Sequence, residues 1–206
     1  MPSPSRANST RDRIVVAAKS EFSRHGIAGA RVDRIAATAK TGKERVYAYF
    51  RSKQDLYRFV AAQELDAVAE ATRMDPTDLP GYAGRVHDYF TAHPDNLRLM
   101  QWGQLEFAGD GPDDATRDTM TRKTEQLRRA QRDGHLDPTW DPADILMFVN
   151  QLAMSWAGHP SLTRPATPAG QEQFTADRRA AIVAAVGRLF PASPPTAPEP
   201  TSEKPA

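Results

Sequence analysis

Lys43, Arg45, Tyr47 and Tyr49 fall within one short stretch and carry the groups that a DNA duplex can bind. Lysine and arginine reach phosphates and the acceptor edge of guanine, and tyrosine hydroxyls bond phosphate oxygens. On a helix, Lys43 and Tyr47 share one face and Arg45 and Tyr49 another. Val46 and Phe50, also four apart, share a third face that is apolar. This spacing turns a basic and aromatic surface outward while the helix is held from behind.

The flanking residues predict what holds it. Val32, Ile35, Ala36 and Ala39 recur at helical spacing, with Asp33 in the first turn where a negative charge suits the dipole. Lys40-Thr41-Gly42 breaks that pattern, with glycine expected to take the special backbone angles of the turn. Thr41 and Glu44 have the spacing of a capping box that would start the next helix. Residues 32–53 thus predict a helix-turn-helix. The alternative is a basic amphipathic helix that is merely solvated. The surroundings favour the first reading. Upstream, Ile14, Ala17, Ala18 and Phe22 form a helix face that stops at His25-Gly26. Downstream, Ser52 with Asp55 predicts the N-cap of a long helix carrying Leu56, Phe59 and Val60.

On these residues the first 60 or so positions resemble the N-terminal domain of the tetracycline-repressor (TetR) family of bacterial regulators. The resemblance rests on Ile14 to Gly26, on Val32-Asp33-Arg34-Ile35-Ala36, on Val46-Tyr47-Ala48-Tyr49-Phe50, and above all on Phe50-Arg51-Ser52-Lys53-Gln54-Asp55-Leu56. Two positions depart from the family pattern. Arg31 stands where a capping Ser or Thr is usual, and arginine cannot cap in that way; either this helix start is weaker or Arg31 reaches a phosphate instead. Gly42 stands where Ser is frequent. Glu44 is then either a cap or an acceptor for a cytosine amino group, with the cap favoured.

Charge is divided along the chain. Residues 1–60 hold 13 basic and 5 acidic side chains, a net of +8, whereas the remainder holds 14 basic and 21 acidic, a net of −7. A basic head on an acidic body is the footprint of a modular DNA binder. Arg6, Arg11 and Arg13 are expected in or near an N-terminal arm that follows a groove or the backbone, the alternative being a frayed terminus. The chain contains no cysteine, which excludes disulfides and thiolate metal sites. No stretch has the apolar length of a membrane span, and the polar start has no signal-peptide core; a soluble, cytoplasmic protein is expected.

Five more helices are expected in the body. Breaks at Asp75-Pro76 and Leu79-Pro80-Gly81 end the fourth helix. A fifth carries Tyr82, Val86, Tyr89 and Phe90, and a sixth runs from about Asn96 to Ala108. A loop at 109–112 precedes a seventh, opened by Asp113 and Asp114 and closed by Arg128, Arg129 and Arg132 before Gly134; its apolar stripe, Met120 and Leu127, is thin, so it should be the most exposed. The eighth opens with Asp141 as cap and Pro142 at the first helical position, and is apolar nearly all round from Ile145 to Ala157. After a loop from Gly158 to Gly170, a ninth carries Ile182, Ala185, Val186 and Leu189 and stops at Pro191. A helix with no polar face must be covered on every side. Helices eight and nine therefore suggest a face that pairs with its own copy, the alternative being that helix eight is the centre of the monomer core. The family resemblance implies dimerisation through these two helices.

The expected fold is all-α, about nine helices, with a helix-turn-helix DNA-binding domain at 1–52 and a helical effector-binding and dimerisation domain at 53–190. Residues 191–206, with six prolines, are expected to be a disordered tail. The expected function is a ligand-responsive repressor that binds a palindromic operator in double-stranded DNA as a homodimer. Its DNA-binding residues would be Arg31, Lys43, Glu44, Arg45, Tyr47, Ala48, Tyr49 and Lys53. Tyr89, Trp102, Phe107, Trp140, Phe148, Gln151 and Met154 are candidates to bind a small apolar or aromatic effector, with Gln101, Gln104 and Asn150 as further polar groups. Glu106 is read as solvated rather than paired with a cationic ligand. The five histidines show no metal-ligand spacing and are expected at helix ends and surfaces. No catalytic motif stands out, so neither an enzyme nor a cofactor or metal is expected. Two readings compete with the repressor: a helical ligand-binding or scaffold protein without operator binding, and a nonspecific architectural DNA binder.

Overall fold

The computed structural model describes residues 9–107, 114–159 and 167–191. Among them are nine α-helices and no strand: α1 (Thr10–Gly29), α2 (Val32–Thr38), α3 (Lys43–Tyr49), α4 (Lys53–Ala71), α5 (Leu79–Ala92), α6 (Pro94–Glu106), α7 (Asp114–Arg132), α8 (Pro142–Met154) and α9 (Pro168–Leu189). The all-α architecture is as the sequence predicts. The expected loop at 109–112, Asp113, and positions 192–206 of the proline-rich tail lie outside the described residues.

The apolar side chains gather into two cores. Ile14, Ala18, Phe22, Ile35, Val46 and Phe50 form the first, closed by Leu56, Tyr57 and Val60 of α4 and by Leu99 of α6. Leu79, Tyr82, Val86, Leu127, Leu146, Val149 and Val186 belong to the second, between α5, α7, α8 and α9. A border at residue 52 therefore cuts through the first core, which needs the first turns of α4. Tyr57 ties α1, α4 and α6 within the first core: its ring meets Phe22 edge-on at 5.4 Å, and its hydroxyl donates to the Leu99 carbonyl at 2.7 Å.

Helix ends follow local capping chemistry. Ser52 accepts from the Asp55 N–H at 3.0 Å, and Asp141 from the Ala143 N–H at 2.7 Å, with Pro142 opening α8. Ser9 and Asp12 form a full capping box on α1, a sequence signal not singled out above. Asp78 caps α5 through the Gly81 N–H, so Leu79-Pro80-Gly81 is the first turn of a helix and not part of the break. Proline tolerates that place because its missing N–H would have no partner there. Thr167 starts α9 earlier than the loop expected to reach Gly170. Along α7, Thr119, Thr124 and Ala130 turn inward with Leu127, a wider buried stripe than two apolar residues predict.

Gly26 divides α1. Its φ of 67° and ψ of −178° are almost confined to glycine, and the chain completes one further turn before Ala30. The position is also crowded: a Cβ there would stand 2.9 Å from the Trp102 ring and 3.0 Å from a Glu106 oxygen. Gly26→Ala is expected to cost about 3 kcal/mol from backbone strain and to lower Tm by roughly 6–12 °C. Scanning calorimetry on the full chain checks this; an unaltered Tm would show that the α1 break bears no such constraint.

Candidate nucleic-acid interface

The start of α2 is built without a local cap. Arg31 occupies the N-cap position and makes no side-chain capping bond. Glu21 of α1 takes over: its Oε1 accepts from the Arg31 N–H at 2.9 Å and from the Arg34 Nε at 2.8 Å. Burial alone would raise the Glu21 pKa, but the bonds from Arg34 and the Arg31 backbone hold it below its ordinary value. A carboxylate from another helix thus replaces the missing serine or threonine.

The turn departs from the expectation. Lys40, not Gly42, takes the left-handed conformation, with φ of 52°. The Thr41 N–H bonds the Ala36 carbonyl at 3.0 Å and the Lys40 N–H that of Ala37 at 3.1 Å, which is a Schellman ending for α2. Gly42 is the N-cap of α3 in extended conformation and supplies no side-chain bond. The expected Thr41–Glu44 capping box does not form, and Glu44 does not cap.

On α3 the inward and outward faces separate as the spacing requires. Val46 is buried, while Tyr47 and Tyr49 are 45% and 42% exposed. Arg45, Ala48, Glu44 and, at the start of α2, Arg31 are also exposed. Lys43 lies 3.1 Å from Asp33, pinning α3 to α2; the hydrogen bond and charge of Asp33 raise its pKa. Lys53 is held differently. Its ammonium donates to the Ala28 and Ala30 carbonyls, each at 3.1 Å, so two of its three donors brace the α1–α2 connection. Arg11 and Arg13 belong to α1 and not to a free arm. Arg11 lies over the Phe59 ring at 4.2 Å, and Arg13 donates to the Ala39 carbonyl at 3.0 Å. Arg6 lies outside the described residues.

Two short helices with a basic, aromatic outer face, in a head of net charge +8, form a helix-turn-helix. Residues 14–60 match the family model "Bacterial regulatory proteins, tetR family", and residues 78–188, more than half the chain, match "Tetracyclin repressor-like, C-terminal domain". The chain belongs to the TetR family. It is 38% identical over 150 residues, 72% of this chain and 78% of the relative, to the HTH-type transcriptional repressor SCO4008 of Streptomyces coelicolor. It is 32% identical over 102 residues, 46% of this chain and 48% of the relative, to the HTH-type transcriptional repressor NicS of Pseudomonas putida. The crystal structure of the transcriptional regulator SCO4942 of Streptomyces coelicolor is 55% identical, covers 89% of this chain and 99% of its own, and superposes with a TM-score of 0.79. The chain is accordingly a DNA-binding transcriptional regulator and not an enzyme. Members of this TetR family act as dimers and respond to effectors.

In the body, the aromatic candidates are scattered. Trp102 lies against Gly26, and Phe107 packs on Tyr57 at 5.7 Å, both beside the head. Trp140 packs edge-on against Phe148 and Phe190. Tyr89 accepts from the Asn96 amide and stacks beside His93. Gln151 is exposed, as are Gln101 and Gln104, while Met154 packs against the second core. Neither the cavity lined by His87, Trp156 and Phe174 nor the one lined by Pro76, Leu136 and Phe190 takes any of these candidates. Glu106 is exposed and makes no ion pair among the described residues, as expected, but its Oε1 also accepts from the Ile27 and Ala28 N–H groups at 2.7 and 3.1 Å. His87 departs from the surface expectation, being 2% exposed.

A polar chain that the sequence reading missed crosses this body. Lys123 of α7 donates to the Tyr82 hydroxyl at 2.8 Å, and Tyr82 donates to Asn150 of α8 at 3.0 Å. Burial, with Arg122 nearby, pushes the Lys123 pKa down to about 8, and burial pushes Tyr82 up to about 12. Well below pH 8 the folded protein bears the whole cost of this partly buried cation. Between about pH 8 and 10.5 the unfolded chain keeps a proton that the folded one releases, so this contribution to stability rises with pH. Lys123→Met is therefore expected to stabilise the protein at pH 7 by roughly 1–2 kcal/mol, with a smaller gain near pH 9.5. Urea unfolding at both pH values reads the difference; destabilisation at pH 7 would contradict the assignment of a net cost to this cation.

Proposed function

We propose that this TetR-family member is a repressor that binds a near-palindromic operator as a homodimer and releases it when an effector occupies the body. The observation that supports it best is the outward face of α3, where exposed Tyr47 and Tyr49 stand with Lys43 and Arg45 on a basic head. Each subunit places α3 in a major groove. Lys43, Arg45, Tyr47 and Tyr49 contact bases or phosphates, and Ala48 allows close approach or meets a thymine methyl. Arg31 reaches a phosphate. Glu44, which caps nothing, accepts from a cytosine amino group. Lys53 keeps one donor for the backbone while it braces the connection behind α2.

The division into a head at 1–52, a body at 53–190 and a tail at 191–206 is retained, with the head's core borrowing the start of α4. The dimer forms through α8 and α9. Met147, Phe148 and Leu189 on these helices are 48%, 44% and 43% exposed, an apolar surface that a second copy would cover. The two heads then read half-sites on one side of the duplex, about one helical turn or a multiple apart. Effector binding alters their spacing through α4 and α6, the helices that join body to head. No helix among the described residues is long and apolar enough to cross a membrane, and a cytoplasmic location suits a regulator of DNA.

Mobility shift with the DNA flanking the protein's own gene tests this reading. Affinity should fall about a thousandfold between 50 and 200 mM salt if several phosphates are neutralised. The double variant Lys43→Ala, Tyr47→Ala should bind roughly a hundredfold more weakly at fixed salt, since a good side-chain bond to DNA contributes about 1–3 kcal/mol. Salt-indifferent binding, or full retention by that variant, would remove α3 from the interface. Binding without a footprint or half-site spacing would indicate an architectural protein instead.

A further inference from the structure

Between α5, the turn after α8 and the first half of α9 lies a cavity of about 180 Å³. Phe90, Trp156 and Phe174 line it, the last two edge-on at 5.7 Å. An apolar cavity of ~150 Å³ admits benzene, so this one has room for a single ring with a small substituent.

Two polar side chains in its lining each leave one buried nitrogen without a partner among the described residues. His87 places Nδ1 at 3.3 Å from the Ala153 carbonyl. A carbonyl only accepts, so the ring proton sits on Nδ1 and Nε2 presents a lone pair. That Nε2 is buried and has no hydrogen-bond partner among the described residues. Opposite in character, the Arg178 guanidinium lies over the rings of Trp156 and Phe174 at 5.1 and 5.2 Å, and its buried Nε–H is also unpartnered. None of the ion pairs among the described residues engages Arg178. A buried donor and a buried acceptor left open in one small cavity are each costly in an empty protein.

We propose that this cavity binds a small aromatic carboxylate that also carries a hydroxyl or N–H group. The carboxylate pairs with the Arg178 guanidinium, whose planar fork matches it. The hydroxyl donates to His87 Nε2, and the ring lies among Phe90, Trp156 and Phe174. The proposal rests on the reading of the body as effector-binding and adds the place and the ligand chemistry.

Titration calorimetry on the full chain tests it, with 4-hydroxybenzoate as probe and benzoate and 4-hydroxybenzamide as comparators. Saturable one-to-one binding of the probe is expected, at least tenfold tighter than either comparator. This series on the unaltered protein is independent of whether variants fold. In variants that keep the native helical content, Arg178→Gln should abolish the preference for acid over amide. His87→Phe should abolish the preference for the hydroxylated acid over benzoate. Absent binding, equal binding of acid and amide, or unaltered preferences in both variants would overturn the assignment. Operator release is read separately by mobility shift. Release by a ligand indifferent to Arg178 would overturn this site and leave the effector-responsive reading intact. Binding of the probe without release would keep the site and count against that reading.

Discussion

The connection between α1 and α2 is the constraint on which the rest of the molecule depends. At Gly26 the helix breaks, and the next five residues expose backbone groups that no helix satisfies. Charged side chains from three elements meet them. Glu106 of α6 accepts from the N–H groups of Ile27 and Ala28, Lys53 of α4 donates to the carbonyls of Ala28 and Ala30, and Glu21 of α1 accepts from the Arg31 N–H. Hydrogen bonds to charged groups contribute about 1.5–3 kcal/mol each, and the lower end suits side chains as exposed as these. Even so, several together are a sizeable share of the roughly 5–15 kcal/mol that separates folded from unfolded domains. This clamp sets where α2 begins, and through α2 where α3 faces the duplex.

Much of the fold was legible because it is encoded locally. Ser52 with Asp55, and Asp141 with Pro142, are capping signals that act within three residues, and both helices start where those signals stand. The faces of α3 were legible too, since Val46 and Phe50 alone could turn inward. The clamp was not legible. Glu106 and the backbone it holds are 79 residues apart, and Lys53 and Ala28 are 25 apart. A carboxylate that binds distant N–H groups has the same local sequence as one that is only solvated, so the bonds of the exposed Glu106 to Ile27 and Ala28 left no sign in the sequence. Lys40 shows a related limit. Glycine is the residue expected at a left-handed position, but the Schellman bonds set that position at Lys40, two residues before the available glycine.

The candidate effector residues illustrate a different ambiguity. Large aromatics at helical spacing mark buried surface but not which surface. Trp102 and Phe107 pack at the joint with the head, and Trp140 packs on Phe148 and Phe190, so these candidates fall in separate places. What distinguishes a binding cavity from a core is a polar group without a partner, and that is a property of three-dimensional accounting. His87 was unremarkable in the sequence because its meaning lies in Ala153 holding one nitrogen while the other is left open.

Helix α6 connects these observations. It begins at Pro94, in the lining of the cavity that holds His87 and Arg178, and ends at Glu106, whose carboxylate grips the α1 break. Between them Leu99 enters the head's core and accepts the Tyr57 hydroxyl, and Trp102 covers Gly26. A helix of this length is a rod of about 20 Å, and its interior hydrogen bonds resist bending. Displacement at its first turn is therefore delivered at its last, where Gly26 has no slack: the Trp102 ring already occupies the space of a Cβ. The α1–α2 connection can follow α6 only by moving as a unit, because Lys53 and Glu21 hold its other backbone groups. Such a movement would carry α2, α3 and the first turns of α4 together relative to the second core. Two heads tied to one dimer face would then change their separation without any change within the reading helices, and separation is the quantity that a pair of half-sites measures.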